Sequence, residues 1–287
     1  MAYFLHLLIM AAITIPTTLG FNFVFGKGKI LHFGHVGTAI VAAYSLILSQ
    51  QVSGSWFQAI LIAAFCTALI SLFFSWLALK LEQDAFGILS IAVHLSLLAI
   101  VLNATALTRG ALGIPGIPRM PGMETPEVFA IVVVIVVLVW IFFAWKLNAS
   151  TFGRSLQALS EHRHHSEALG IRRSRVYAGA FLVAGLGTLT TNVFFAQYLG
   201  LLHPSDYGFP ALIFMAMCIV AGGPGRVFGV TFATVVLILL KEGLRFLPVT
   251  LVPLSLRGPI LLLLFGVILS VAVFLRRETI FPKQRSV

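Results

Sequence analysis

Seventeen consecutive residues, Val128 to Ala144, are apolar and uncharged. An α-helix needs roughly 20 such residues to cross a hydrocarbon layer about 30 Å thick. In hydrocarbon every backbone N–H and C=O must be satisfied within the protein, so such a run spans as a helix. A membrane β-barrel would instead show short segments of alternating polarity, which this run excludes. The wider composition agrees. The 287 residues are 59% hydrophobic and 10% charged, where a soluble domain carries roughly 25% charged residues. The fold class expected is an all-α polytopic membrane protein, with residues 1–287 forming one transmembrane domain.

Taken in order, the first run extends from about Phe4 to Phe25 and is interrupted by Pro16. Its opening, Met1-Ala2-Tyr3-Phe4, lacks the basic region of a signal peptide, so it is expected to remain as a span. A second run, Ile30 to Gln50, keeps Gly34, Gly37, Ala39, Ala42 and Ala43, small residues that permit close helix contact. The third covers Trp56 to Leu79, and Lys80, Glu82 and Asp84 then form a polar turn. The fourth, Phe86 to Leu107, carries His94 and Asn103. Thr108 to Pro126 is rich in Gly and Pro, which fix the backbone and remove donors, and reads as an ordered loop. The fifth span is Val128 to Trp145 and the sixth Tyr177 to Tyr198. The run Phe209 to Ala221 is short, about 20 Å at 1.5 Å per residue, and breaks at Gly222-Gly223-Pro224-Gly225. Two more, Val227 to Leu240 and Pro259 to Leu275, bring the expected count to about nine, within eight to ten.

Between the fifth and sixth spans lies a polar segment, Asn148 to Arg175, with five arginines, three histidines and only two acids, Glu161 and Glu167. Phe152, Leu156 and Leu159 recur in it at helical spacing and Gly170 offers a stop, so a short amphipathic helix is expected. With this segment cytoplasmic and nine crossings, fourteen of the 19 bases fall inside; Arg109, Arg119, Lys241, Arg245 and Arg257 fall outside. That asymmetry puts the N-terminus outside and the C-terminus in the cytoplasm. It also explains the net charge of +10 as topology, with no nucleic-acid partner.

Chemical motifs are absent. Gly26-Lys27-Gly28-Lys29 lacks the earlier glycine and the following Ser or Thr of a phosphate loop, since Phe21 and Gly28 occupy those places. On a helix His162 and His165 would share a face while His164 points elsewhere, so a solvated loop is expected and no metal site. Cys66 and Cys218 lie inside apolar runs as small hydrophobes. No nucleophile–base pair supports an enzyme, so neither catalytic residues nor a cofactor is expected. Polar groups inside spans are costly and face a cavity or a neighbouring helix. Asn22, His35, His94, Asn103, Asn192 and Gln197 are therefore candidates for a translocation path, with interhelical hydrogen bonding as the alternative for each.

Three stretches together resemble the branched-chain amino-acid ABC transporter permeases, a hydrophobic amino-acid uptake family that includes urea permeases. They are Phe33-Gly34-His35 with Ala43-Tyr44; Leu107-Thr108 with Gly113-Ile114-Pro115-Gly116-Ile117-Pro118; and Phe152-Gly153-Arg154-Ser155-Leu156 with Glu167-Ala168-Leu169-Gly170-Ile171, continuing to Gly222-Gly223. Glu242 to Leu247 resembles the family's end to its penultimate span. The likeness covers about residues 17 to 247. His165-Ser166 depart from it, standing where the family commonly has Ala-Ala.

The resemblance implies a permease subunit of a bacterial inner-membrane importer for a small amino-acid-like solute, a branched-chain amino acid or a urea-like amide. It implies a sister permease in a heterodimer, two ATP-binding subunits, an extracytoplasmic solute-binding protein and surrounding lipid. It further implies that residues 148–175 are the coupling loop, with Glu161, Glu167, Ala168 and Gly170 meeting the ATPase. A basic helix held at anionic headgroups is the alternative for that segment. The rival for the whole chain is a self-contained secondary transporter or channel. That class typically carries an acidic residue within a span, and the span interiors here have none.

Overall fold

The computed structural model describes residues 2–243 and the positions 260, 263, 266, 267, 270 and 271. Its first helix, α1 (Ala2–Phe21), runs through Pro16 and widens into a π-helical turn over Asn22–Lys27. The expected interruption at Pro16 is therefore corrected. A proline breaks a helix because it removes one ladder donor, here the partner of the Ala12 carbonyl, and crowds the turn before it; a neighbouring helix braces the next rung. Thr191 Oγ1 donates to the Ile13 carbonyl at 2.7 Å and accepts from the Thr17 N–H at 3.2 Å. Ile13 and Thr17 are a pair that an undisturbed helix bonds directly.

The next helices are α2 (His35–Ser53), α3 (Trp56–Lys80), α4 (Gln83–Asn103) and a single turn, α5 (Thr105–Thr108). After the Gly- and Pro-rich loop come α6 (Pro126–Ala149), α7 (Thr151–Glu161), α8 (Arg163–Ala168) and α9 (Arg173–Leu199). A hairpin of α10 (Phe209–Gly222) and α11 (Val227–Gly243) closes the described part. Among the described residues six helices are long and apolar enough to cross a membrane, and α10 is a shorter apolar helix. The expected run from Pro259 to Leu275 lies outside the described residues, apart from the six positions named above, which are helical.

Two other boundaries differ from expectation. The second span begins at His35 rather than Ile30. Gly34 sits so close to the Phe74 ring and the Ser90 carbonyl that a side chain would not fit, and the Phe33 N–H donates to Ser90 Oγ at 3.0 Å. The chain before α2 therefore gives up helical bonds for bonds to α4. The fourth span ends at Asn103, where Ala104 leaves helical geometry at φ −76°, ψ 52°. Thr108 Oγ1 then donates back to the Val101 carbonyl at 2.6 Å.

α1 is the axis of the bundle. At one end His6 Nδ1 meets the Tyr198 hydroxyl at 2.6 Å, and His6 Nε2 lies 3.9 Å from the Glu242 carboxylate. Midway, the Thr18 and Thr234 hydroxyls are 3.1 Å apart. At the other end Gly225 N–H donates to Asn22 Oδ1 at 2.9 Å. The pairing runs in opposite chain directions, so α1 lies antiparallel to both α9 and α11. Small residues set the spacing: a Cβ on Gly187 would strike the Pro16 carbonyl, and one on Gly20 would lie 3.0 Å from the Ala184 backbone. By contrast, the outer faces of α3 and α6 are bulky and apolar, with Phe57, Phe65, Ile131 and Leu138 all exposed, as lipid contact demands. A two-residue antiparallel ladder, β1 (Ile114–Pro115) with β2 (Leu201–Leu202), ties the Gly-Pro loop to the end of α9.

Candidate functional site: the polar loop and the cavity beside it

The polar segment folds as two helices rather than one. Ser150 caps α7, accepting from the Gly153 N–H at 3.4 Å. Gly153 is needed because a Cβ there would meet the Leu147 and Asn148 carbonyls. Leu156 and Leu159 are buried and Phe152 packs on Gly179, so the face read from helical spacing is the one that anchors the loop to the bundle. Lys27, at the end of the first span, fixes the loop's entry, donating to the Asn148 carbonyl at 2.9 Å and to Asn148 Oδ1 at 2.5 Å.

The expected single helix to Gly170 breaks at His162, which takes φ −142°, ψ 83°. Beyond the break α8 starts afresh, and buried Ser166 returns both its N–H, at 3.0 Å, and its hydroxyl, at 2.9 Å, to the His162 carbonyl. The stop at Gly170 is present, with φ +88° and open space where a Cβ would stand. Every residue from Glu161 to Gly170 except Ser166 is exposed, and Leu169 is 84% exposed. Glu161, Glu167, Ala168 and Gly170 are thus all exposed, and Glu167 Oε1 lies 3.5 Å from Arg163 Nε. His162 and His165 stack edge to face with ring centroids 5.6 Å apart. Among the described residues no three His, Cys, Asp or Glu side chains converge as metal ligands.

The six polar span residues do not meet in one place. Asn22, Asn192 and Gln197 are buried and spend their amides on structure. Asn192 donates to the Thr188 carbonyl at 2.7 Å and accepts from the Tyr207 hydroxyl at 2.5 Å. Gln197 accepts from the Met120 N–H at 2.7 Å, pinning the Gly-Pro loop. Asn103 is exposed and donates to the Ala99 carbonyl of its own helix. His35 is buried, with Nε2 3.2 Å from Thr17 Oγ1 and Nδ1 unpartnered, while neither ring nitrogen of buried His94 has a partner.

Sequence reasoning passed over His32 and Arg173. His32 precedes α2 and is 1% exposed, boxed by the rings of Phe21, Phe74, Phe86 and Phe181 at centroid distances of 4.6 to 6.4 Å. Nothing local in the sequence marks it, since those rings come from four separate helices. Arg173 opens α9, lies over the Tyr177 ring at 4.8 Å and donates to the Ala78 carbonyl at 2.6 Å. It lines a cavity of about 920 Å³ that opens beside the polar loop, between Leu159–Arg163 on one side and the α3–α4 turn on the other. Phe86 belongs to both the cavity wall and the box around His32.

A family model for the branched-chain amino acid transport system permease component matches residues 3–273. The high-affinity branched-chain amino acid transport system permease protein LivM of Salmonella typhimurium is 25% identical over 264 residues, covering 82% of this chain and 62% of that protein. LivM of Escherichia coli is likewise 25% identical, over 255 residues, covering 79% of this chain and 60% of that protein. The chain therefore spans about three fifths of the length of the curated relatives it matches. No solved structure matches it. A match over nearly the whole chain, on a bundle whose described residues include six helices fit to cross a membrane, places this protein in the family of branched-chain amino acid transport permease components.

Proposed function

We propose that the chain is the transmembrane permease subunit of an ABC importer in a bacterial inner membrane, passing a small amino-acid-like solute inward. Residues 148–175 are its cytoplasmic coupling loop within a single permease domain, the N-terminus is outside and the C-terminus inside. About nine spans, a sister permease, two ATP-binding subunits and an extracytoplasmic solute-binding protein complete this reading. The observation that carries it is the division of labour in the loop. Phe152, Leu156 and Leu159 hold α7 to the bundle, while Glu161, Glu167, Ala168, Leu169 and Gly170 face outward. A leucine as exposed as Leu169 suits a surface that another protein covers.

The test is uptake into proteoliposomes holding this chain with its sister and ATP-binding subunits. ATP and the solute-binding protein should both be required for radiolabelled leucine to accumulate. Accumulation driven by an ion gradient without ATP would instead make this a secondary transporter.

A further inference from the structure

We infer that the π-helical turn Asn22–Lys27 relays movement of the coupling loop to the α10–α11 hairpin, with Lys27 and Asn22 as positioning residues at its two ends. The inference rests on the permease reading above, in which residues 148–175 answer to an ATP-binding subunit. The loop is continuous in chain with α6 and α9, yet the end of α1 grips it as well. Lys27 Nζ donates to the Asn148 carbonyl at 2.9 Å and to Asn148 Oδ1 at 2.5 Å. Gly28 lets buried Leu156 of α7 close in, since a Cβ there would lie 3.3 Å from Leu156 Cδ1. At the other end of the same turn Asn22 Oδ1 accepts the Gly225 N–H at 2.9 Å, within the Gly-Gly-Pro-Gly turn that joins α10 to α11. Gly26 leaves room for that bond, because a Cβ on it would strike Asn22 Oδ1 and lie 2.9 Å from the Gly225 nitrogen. One turn of six residues thus holds the loop by one end and the hairpin by the other.

That turn is also the part of α1 with a second arrangement open to it. A π turn is wider than an α turn, is rare, and occurs mostly as a single turn within an α-helix, frequently at functional sites. Here the Gly28 N–H reaches back to the Phe23 carbonyl at 2.9 Å and the Ile30 N–H to the Val24 carbonyl at 3.0 Å. Tightening to α-helix would draw these bonds in and rotate Lys27 about the helix axis relative to Asn22. A pull on Lys27 through Asn148 therefore moves the acceptor that holds Gly225. A coupling route requires such an element, with two arrangements that both sites bias.

The test uses the complete transporter in proteoliposomes, without Cys66 and Cys218, carrying an environment-sensitive fluorophore on Gln157→Cys in α7 or on Arg226→Cys beside the hairpin turn. Both positions are exposed. Trapping with ATP and vanadate should change the emission at both in the parent protein. Lys27→Met keeps the stem and removes the donors. It should retain ATP hydrolysis and the Gln157 change, lose at least four fifths of the Arg226 change, and import at least fivefold less radiolabelled leucine per ATP. Lys27→Arg should restore both losses, and Asn22→Leu should reproduce them from the hairpin end. A full Arg226 change or wild-type import per ATP in Lys27→Met overturns the relay. Loss of the Gln157 change in that variant overturns it too, since the bond would then support the loop alone. No ATP-dependent change at either position in the parent refutes the permease reading together with the relay.

Discussion

The Thr191 hydroxyl stands in the hydrogen-bond ladder of α1, joined to the Thr17 N–H from a helix 174 positions away in sequence. It braces the rung next to Pro16 inside a membrane helix, a role that neighbouring Ser and Thr side chains serve where water is absent. Replacing Thr191 with Val keeps the shape and leaves the Ile13 carbonyl and the Thr17 N–H without it. The expected loss is about 1–3 kcal/mol, the cost of a buried unsatisfied group. Thr191→Ser should retain most of the stability in a denaturant titration of the purified complex.

That brace also shows why some of the fold was legible in sequence and some was not. Long apolar runs announce helices because hydrocarbon leaves the backbone no other choice, and α3, α6 and α9 fall where those runs lie. Phe152, Leu156 and Leu159 announced the buried face of α7 through spacing alone. What escaped depends on partners distant in the chain. Pro16 reads as a break until Thr191 is beside it, and Ile30 to Gly34 reads as helix until Ser90 and Phe74 are in place. α7 ends at His162 although the spacing runs on, and no periodicity marks that point. Asn192 and Gln197 read as path candidates, and the bonds they make, to Tyr207 and Met120, come from loops whose course no periodicity reveals.

Close packing of α1 on α9 gives a second expectation. A methyl group on Gly187 would collide with the Pro16 carbonyl, an atom that cannot rotate away. Gly187→Ala should cost about 1–3 kcal/mol, as overpacking does, and should lower the yield of folded complex on size-exclusion chromatography. Gly87→Ala, whose nearest neighbour would lie 3.5 Å away, should be tolerated.

The Gly-Pro loop carries a third. Glu124 Oε1 accepts the Gly122 N–H at 3.0 Å, and this bond to its charged form holds the carboxyl below its ordinary range. A depressed folded pKa means that the bond's contribution is present above the ordinary pKa of about 4.3 and fades as pH falls through the lower folded value. Selective carboxyl ¹³C labelling should show Glu124 titrating below an unfolded-peptide control. An unshifted midpoint would mean the bond does not form in solution.

Orientation can be read directly. In a background without Cys66 and Cys218, cysteines placed at exposed Pro121 and exposed His164 should behave oppositely toward an impermeant thiol reagent on intact cells. Pro121→Cys should react and His164→Cys should be protected until the membrane is opened. Labelling of the second from outside would invert the topology.

The central claim is that the exposed part of the coupling loop is where the ATP-binding subunit docks, and co-purification of that subunit measures it most directly. Gly170 holds φ +88° with no neighbour near its missing Cβ, so Gly170→Val acts only through a backbone conformation that a β-branched residue tolerates badly. Glu167→Lys and Leu169→Glu change the exposed surface without touching the anchor at Leu156 and Leu159. All three variants should reach the membrane at near wild-type levels. Each should retain at least tenfold less ATP-binding subunit through purification, with uptake and stimulated hydrolysis falling in step. Full retention and full uptake in all three would contradict the account and leave residues 148–175 as a basic loop resting on lipid.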